Sequence, residues 1–251
     1  MQYTLKKSLG QHFLHDENMC AKIVSKLQHT PGMHLLEIGP GGGAITKYLL
    51  QWTDIDYKAI EIDAEKVAYL QKTYPAIQDK IIQEDILKAE APFIEHFSII
   101  GNLPYNISSP ILFRVLEWEE QVDEVIGMFQ KEVAQRVAAA NNSKTYGILS
   151  VLIQAFFKVE YLFDVNPQCF TPPPNVMSGV IRLTNLQNPH QIKDRRKFIQ
   201  LVKAAFNQRR KTLRNALKGT LPPDALQDEI MNKRAEQLSV DDFVALHRKY
   251  Q

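Results

Sequence analysis

Near the middle of this 251-residue chain, Gly101-Asn102-Leu103-Pro104-Tyr105-Asn106 follows an apolar run, and its residue types suit chemistry on an aromatic amine. An exocyclic adenine amine is a poor nucleophile because its lone pair is delocalised into the ring. Two acceptors aimed at its hydrogens localise that pair. The Asn102 side-chain oxygen and the Leu103 carbonyl are candidates for the two, and Pro104 stiffens the turn that holds the carbonyl outward. Tyr105 offers a face on which an extruded base can stack, a contact worth ~1–3 kcal/mol. Direct displacement at a sulfonium methyl needs no covalent enzyme intermediate, so positioning and preorganised acceptors would carry such a reaction. The bland alternative is a turn with a buried tyrosine.

A second constellation lies upstream. Leu35-Leu36-Glu37-Ile38 runs into Gly39-Pro40-Gly41-Gly42-Gly43, where glycines let the backbone turn sharply and approach a ligand closely. Glu61 ends the next apolar run, 22 residues after Gly39, where a carboxylate can accept hydrogen bonds from ribose hydroxyls. Asp85 follows a third run and could accept from an adenine amino group. Taken singly, both acids also read as surface carboxylates. Together the features fit NAD or S-adenosylmethionine, and the loop favours the second. Pro40 removes an N–H that a pyrophosphate would use, and Ala44 stands where the third glycine of G-x-G-x-x-G belongs.

These residues need strand ends to hold them, and the chain supplies them. His34–Ile38, Tyr57–Ile62, Lys80–Gln83, Phe97–Ile100 and Val122–Phe129 read as strands. Ala44–Leu50, Ala64–Thr73 (Val67 and Leu70 on one face) and Ile107–Trp118 read as helices between them. The alternation predicts an α/β fold, a Rossmann-like parallel sheet covered by helices on both faces. A polar, proline-bearing stretch at Asn185–Pro189 marks a linker, dividing the chain into a cofactor-binding domain over 1–184 and a small all-helical domain over 185–251.

Hydrophobic residues make up 45% and charged residues 23%, an ordinary globular balance that argues against disorder. No window approaches the ~20 apolar residues of a membrane span, and the first residues lack a signal-peptide core. Cys20 and Cys169 cannot form a disulfide framework, and the seven histidines show no metal-binding pattern. The expectation is a reduced, cytoplasmic protein with no membrane or metal partner, a monomer by default.

The net charge of +2 conceals an asymmetry: residues 185–251 carry 14 Lys and Arg against 7 Asp and Glu, while the rest of the chain is mildly acidic. Such a tail suits a polyanion, although a solvated basic face explains the charge equally well. Within Phe206–Lys218, Arg210, Arg214 and Lys218 recur every four residues, so one helix would align them, beside a burying stripe of Leu213 and Leu217. With Arg209 and Lys211, and with Lys6 and Lys7 near the start, these would grip phosphates. Asn141–Lys144, in a polar stretch over Ala138–Tyr146, reads first as an ordinary surface loop. Phe170, before Pro172-Pro173-Pro174, reads first as core.

These motifs resemble the ribosomal RNA adenine N6,N6-dimethyltransferases that modify two adjacent adenines near the 3′ end of small-subunit ribosomal RNA. The resemblance rests on Lys6 through Leu14, Glu37 through Gly41, Glu61-Ile62-Asp63, Asp85, Gly101 through Ser108, Phe170 through Pro174 with Val176, and Phe206 through Lys218, and so spans nearly the whole chain. It implies S-adenosylmethionine as cofactor, lined by His12, Leu14, Gly39, Glu61, Asp85 and Asn102. It implies a target base held by Tyr105 and Phe170 beside Asn102, Leu103 and Pro104. The implied partners are the small ribosomal subunit and its RNA. Many relatives carry asparagine where this chain has His12. The alternatives are a large-subunit adenine methyltransferase of the antibiotic-resistance type, a ribosome-assembly factor with little catalysis, and an NAD-dependent oxidoreductase.

Overall fold

The computed structural model describes residues 12–250. In chain order the elements are β1 (Phe13–Leu14), α1 (Glu17–Val24), β2 (His34–Ile38), α2 (Thr46–Leu49), β3 (Asp56–Glu61), α3 (Ala64–Thr73), β4 (Ile81–Gln83), β5 (Phe97–Asn102), α4 (Ser108–Glu117), β6 (Val122–Gln130), α5 (Lys131–Val137), α6 (Ile148–Gln154), β7 (Phe157–Val165), β8 (Phe170–Thr171), β9 (Ser178–Asn185), α7 (Arg195–Asn207), α8 (Leu213–Ala216) and α9 (Val240–Tyr250). Short 3-10 turns connect several of them.

The central sheet has the order β4-β3-β2-β5-β6-β9-β7. β2 pairs in parallel with β3 on one side (Leu36 opposite Lys58) and with β5 on the other (Leu36 opposite Ile99). β6 continues the parallel run, and β9 then turns antiparallel, with Gly127 opposite Ile181. The expected parallel α/β core is present, but the sheet is mixed. β7 and β9 were not foreseen, although Phe157-Lys158-Val159-Glu160 alternates with a strand's period. Inner stretches such as Val125–Phe129 of β6 are apolar without interruption because both faces of a parallel sheet are covered. Ala59, Ile60, Ile99, Ile100, Val125 and Ile126 are all buried.

The chain order reverses between β2 and β5. Successive crossovers there leave in opposite directions, which opens a crevice at the carboxyl ends of the two strands. A separate two-stranded ribbon pairs β1 with β8, Leu14 opposite Phe170. Leu14, Cys20, Ile23, Leu35, Tyr57, Ile100, Met128 and Phe170 belong to one buried core.

Two compact units divide the chain. One holds the described residues through Ala134 together with Glu160–Asn185, and the other holds Gln135–Val159 with the residues from Leu186 onward. The break after Asn185 coincides with the expected linker. Residues 135–159 belong to the second unit, however, whereas the sequence reading places them in a 1–184 domain. The reason is packing: α6 buries Leu149, Val151, Leu152 and Ile153, and Phe156 meets Phe198 of α7 edge to face. In the second unit Phe198, Leu201, Val202 and Ala205 form the buried stripe of α7, as their 3–4 spacing predicts. After Pro222 and Pro223 the chain makes a short 3-10 turn over Ala225–Gln227.

Candidate active site

A cavity of about 230 Å³ lies at the carboxyl ends of the parallel strands and gathers most of the predicted site residues. Its wall includes His12 and Leu14 from the ribbon segment, Gly39 from the loop after β2, Glu61 at the end of β3, Asp85 after β4, and Asn102 through Ile107 after β5. These segments lie far apart in sequence. Those from the central sheet meet because the carboxyl end of every parallel strand opens on the same edge of the sheet.

The glycine loop is held by its own backbone. Gly39 N–H donates to the Ile60 carbonyl at 2.9 Å, tying the loop to β3. Gly41 has a φ of 58°, a left-handed conformation that a side chain would strain, and its N–H donates to Glu61 Oε2 at 3.1 Å. Glu61 is buried, and its Oε1 accepts from Asp63 N–H at 3.0 Å. Each oxygen therefore already has a backbone donor and keeps a further lone pair for a ligand hydroxyl. Half-buried Asp85 accepts from Leu87 N–H at 3.0 Å through Oδ1, which fixes its rotamer on the cavity wall.

Asn102 is the last residue of β5. Its Nδ2 donates to the His12 carbonyl at 3.4 Å, which leaves Oδ1 as the acceptor end of the amide. Leu103 is buried and donates its N–H to the Met128 carbonyl at 3.2 Å. Ser108 hydroxyl donates to the Pro104 carbonyl at 3.0 Å and closes the turn at the start of α4. The Tyr105 hydroxyl pairs with that of Ser178, and burial pushes its pKa up. The Tyr105 ring lies 5.6 Å from that of His12 at 30°. His12 Nδ1 sits 2.8 Å from the Pro172 carbonyl. A carbonyl only accepts, so this contact sets the proton on Nδ1.

Phe170 does not reach the cavity wall. Only 2% of it is exposed, and it packs in the core beside Leu14, its partner across the ribbon. The core reading of its position holds, and the stacking role implied by resemblance is not brought about in this arrangement.

Among the lining residues that the sequence reading did not assign a role are two buried ionisable ones, Glu37 and Lys66. Glu37 is buried in the wall, with the Tyr57 hydroxyl 2.6 Å and the Thr46 hydroxyl 2.8 Å from its Oε2. An acid at the penultimate position of a strand, two residues before a glycine loop, was the available signal. Lys66, buried on α3, also lines the cavity, and nothing in its helical surroundings announced that.

The basic segment departs from expectation. Phe206–Lys218 is not one helix: α7 ends at Asn207, residues 208–211 form a turn, and α8 covers only Leu213–Ala216. Leu213 N–H donates to the Lys233 carbonyl at 2.8 Å, and Thr212 bridges to Arg234, so tertiary pairing displaces the helical ladder. Arg210, Arg214 and Lys218 therefore do not share one helix face. Leu213 and Leu217 are buried as expected. Arg209 pairs with Glu236 at 3.0 Å and donates to the Lys144 carbonyl at 2.5 Å, while Arg214 donates to the Leu226 carbonyl at 3.0 Å. Arg210, Lys211 and Lys218 are exposed. Lys6 and Lys7 lie outside the described residues. Among the described residues no helix is long and apolar enough to cross a membrane.

The mostly parallel sheet with its glycine loop and strand-end acids defines the class: a Rossmann-like, S-adenosylmethionine-dependent methyltransferase fold. Solved structures agree on that fold. A dimethyladenosine transferase from Plasmodium falciparum aligns with a TM-score of 0.83 at 24% identity, covering 95% of this chain and 97% of that one. The 23S rRNA methyltransferase ErmE aligns with a TM-score of 0.70 at 23% identity, covering 93% and 98%. Residues 2–251 match the family described as ribosomal RNA adenine dimethylase, and the chain belongs to that family. Its relatives include proteins named ribosomal RNA small subunit methyltransferase A. That of Cytophaga hutchinsonii is 52% identical (96% of this chain, 95% of the relative), and that of Flavobacterium johnsoniae is 50% identical (97% and 95%).

Proposed function

We propose that this protein uses S-adenosylmethionine to dimethylate N6 of two adjacent adenosines near the 3′ end of small-subunit ribosomal RNA, as subunits are made. One observation carries the reading: the Asn102–Tyr105 segment opens on the same cavity as Glu61, Asp85 and the glycine loop. Relatives at about half identity are named for small-subunit RNA, which favours that substrate over the large subunit. The residues present fit the cofactor. The loop contains Pro40 and so lacks the dense donor array that a pyrophosphate needs, and Glu61 and Asp85 are acceptors suited to hydroxyls and an adenine amine.

When bound, the cofactor supplies an electrophilic methyl group. The chain's residues do the rest. Glu61 holds ribose hydroxyls, Asp85 accepts from the cofactor's adenine amine, and His12, Leu14 and Gly39 close around the cofactor. Asn102 Oδ1 and the Leu103 carbonyl accept the two hydrogens of the target amine and localise its lone pair. Pro104 holds that geometry, and Tyr105 stacks on the extruded base. After one transfer the methylated amine loses a proton to solvent and keeps one hydrogen, so one acceptor suffices and the first methyl group rotates into the space the other leaves. Stacking is assigned to Tyr105 rather than to Phe170, whose role is to seat Leu14 through the ribbon. Arg209, Arg210, Lys211, Arg214 and Lys218, with Lys6 and Lys7, supply phosphate contacts. The working state is a cytoplasmic monomer.

The test incubates the protein with labelled S-adenosylmethionine and either unmethylated small subunits or large subunits, then digests the RNA and maps modified nucleosides. Adjacent dimethyladenosines in the small subunit are expected. Label only in large subunits overturns the substrate assignment. Tight small-subunit binding with no label makes the protein an assembly factor.

A further inference from the structure

Glu37 is the one buried acid of the cavity wall that the mechanism above does not use. Only 2% of it is exposed, and both of its hydroxyl donors, Tyr57 from β3 and Thr46 from α2, go to the same oxygen, Oε2. The charged groups around it offer little relief. Glu61, at the end of β3, repels it. His12, Lys66 and Asp85 share the cavity wall. A carboxyl so placed is held near the balance point between its two forms. Burial pushes it up, the two hydroxyls pull it partly back, and Glu61 adds to the push, leaving it at about 7.

We propose that Glu37 senses the charge on the cofactor's sulfur: it ionises, releasing its proton to solvent, when a positively charged ligand enters the cavity, and recovers a proton when the neutral-sulfur product remains. The physical reason is reciprocal linkage. A cation near a buried carboxyl favours the carboxylate, so the carboxylate favours the cation by the same factor. Methyl transfer removes the sulfonium charge, and with it the reason for Glu37 to stay ionised in a dry wall. Discrimination between cofactor and demethylated product then depends on proton concentration. The inference rests on the cofactor assignment above and adds a specificity residue to it.

The measurement is calorimetric titration of the protein with S-adenosylmethionine, S-adenosylhomocysteine and sinefungin, which carries a protonated amine in place of the sulfonium. Each is run between pH 6 and pH 8 in two buffers of different ionisation enthalpy. The expected result is proton release with the two cationic ligands and less with S-adenosylhomocysteine. The affinity ratio of S-adenosylmethionine to S-adenosylhomocysteine should rise by about five- to tenfold from pH 6 to pH 8, the span that titration of one group near neutrality allows. In Glu37→Gln the ratio should be flat. In Tyr57→Phe, which removes a donor that favours the carboxylate, its midpoint should move to higher pH, so this variant keeps the test open if Glu37→Gln does not fold. His12→Asn controls for the histidine on the same wall and should keep the pH dependence. A pH-dependent ratio that survives Glu37→Gln, or vanishes in His12→Asn, overturns the proposal. Failure to bind S-adenosylmethionine at any pH would instead overturn the cofactor assignment.

Discussion

The glycine-loop cavity and the basic segment over Phe206–Lys218 were equally visible as patterns, yet they met different fates in the fold. The cavity residues sit at strand ends, and a parallel sheet brings its strand ends to one edge whatever the details of side-chain packing. The basic residues were placed by helical spacing alone. That spacing failed where Leu213 N–H turned to the Lys233 carbonyl and Thr212 bridged to Arg234. A site built on sheet topology is robust to local competition, whereas a face built on helical periodicity lasts only as long as the helix does.

Four measurements break or sharpen that contrast. The largest effect is expected for Asn102→Ala on the cavity side. Losing one preorganised acceptor should lower the rate of dimethyladenosine formation by about 10²–10³-fold at saturating cofactor, read by nucleoside mass spectrometry. Undiminished dimethylation would remove Asn102 from the mechanism.

Glu37→Gln should change how stability depends on pH. The value of about 7 lies above the 4.5 of an ordinary glutamate, so the folded state holds a proton that the unfolded chain gives up. This residue's contribution is therefore intact below about pH 4.5 and is lost as pH rises through 7. The variant has no such loss, so its stability relative to the parent should grow by about 3 kcal/mol between pH 4.5 and pH 8, measured by denaturant unfolding. A constant difference across that range would show that Glu37 is ionised throughout.

Gly101→Ala probes the switch point itself. A Cβ there would stand 2.7 Å from the Ile38 carbonyl oxygen and 2.9 Å from a Leu103 methyl, and the first is backbone that cannot swing aside. Destabilisation of about 1–3 kcal/mol is expected, with loss of cofactor affinity because both β2 and the Asn102 turn must shift. Unchanged melting would mean that the two strands separate more readily than their packing implies.

The smallest effects lie in the basic segment, and they should differ between neighbours. Arg210→Ala removes an exposed cation and should reduce the salt dependence of RNA binding by about one unit of slope without altering the melting temperature. Arg209→Ala also breaks the ties to Glu236 and the Lys144 carbonyl and should lower the melting temperature as well. Equal behaviour of the two would restore the picture of a simple basic ridge.

Much of the first unit was legible for a plain reason. Apolar runs of strand length broken by Gly39–Gly43, Glu61 and Asp85 admit few arrangements other than a Rossmann-like sheet, and the ligand then belongs at its carboxyl edge. What lay hidden depended on residues far apart in sequence. Phe170 read as core by residue type and as a stacking face by resemblance, and only its pairing with Leu14 decided between the two by placing it in the core. Residues 135–159 could not be assigned to the second unit until α6 was seen to pack with α7. Glu37 stands two residues before the loop in the sequence, but its significance comes from the two hydroxyls and the burial around it.

Order along the chain thus determined the fold class, the cofactor edge and the Asn102–Tyr105 turn, because these follow from strand periodicity and from the local stiffness of glycine and proline. Tertiary structure decided which aromatic faces the cavity, where the basic helix breaks and which acid is left uneasy in a dry wall. Those outcomes depend on desolvation and on hydrogen bonds between distant segments, energies that no local pattern of residues contains.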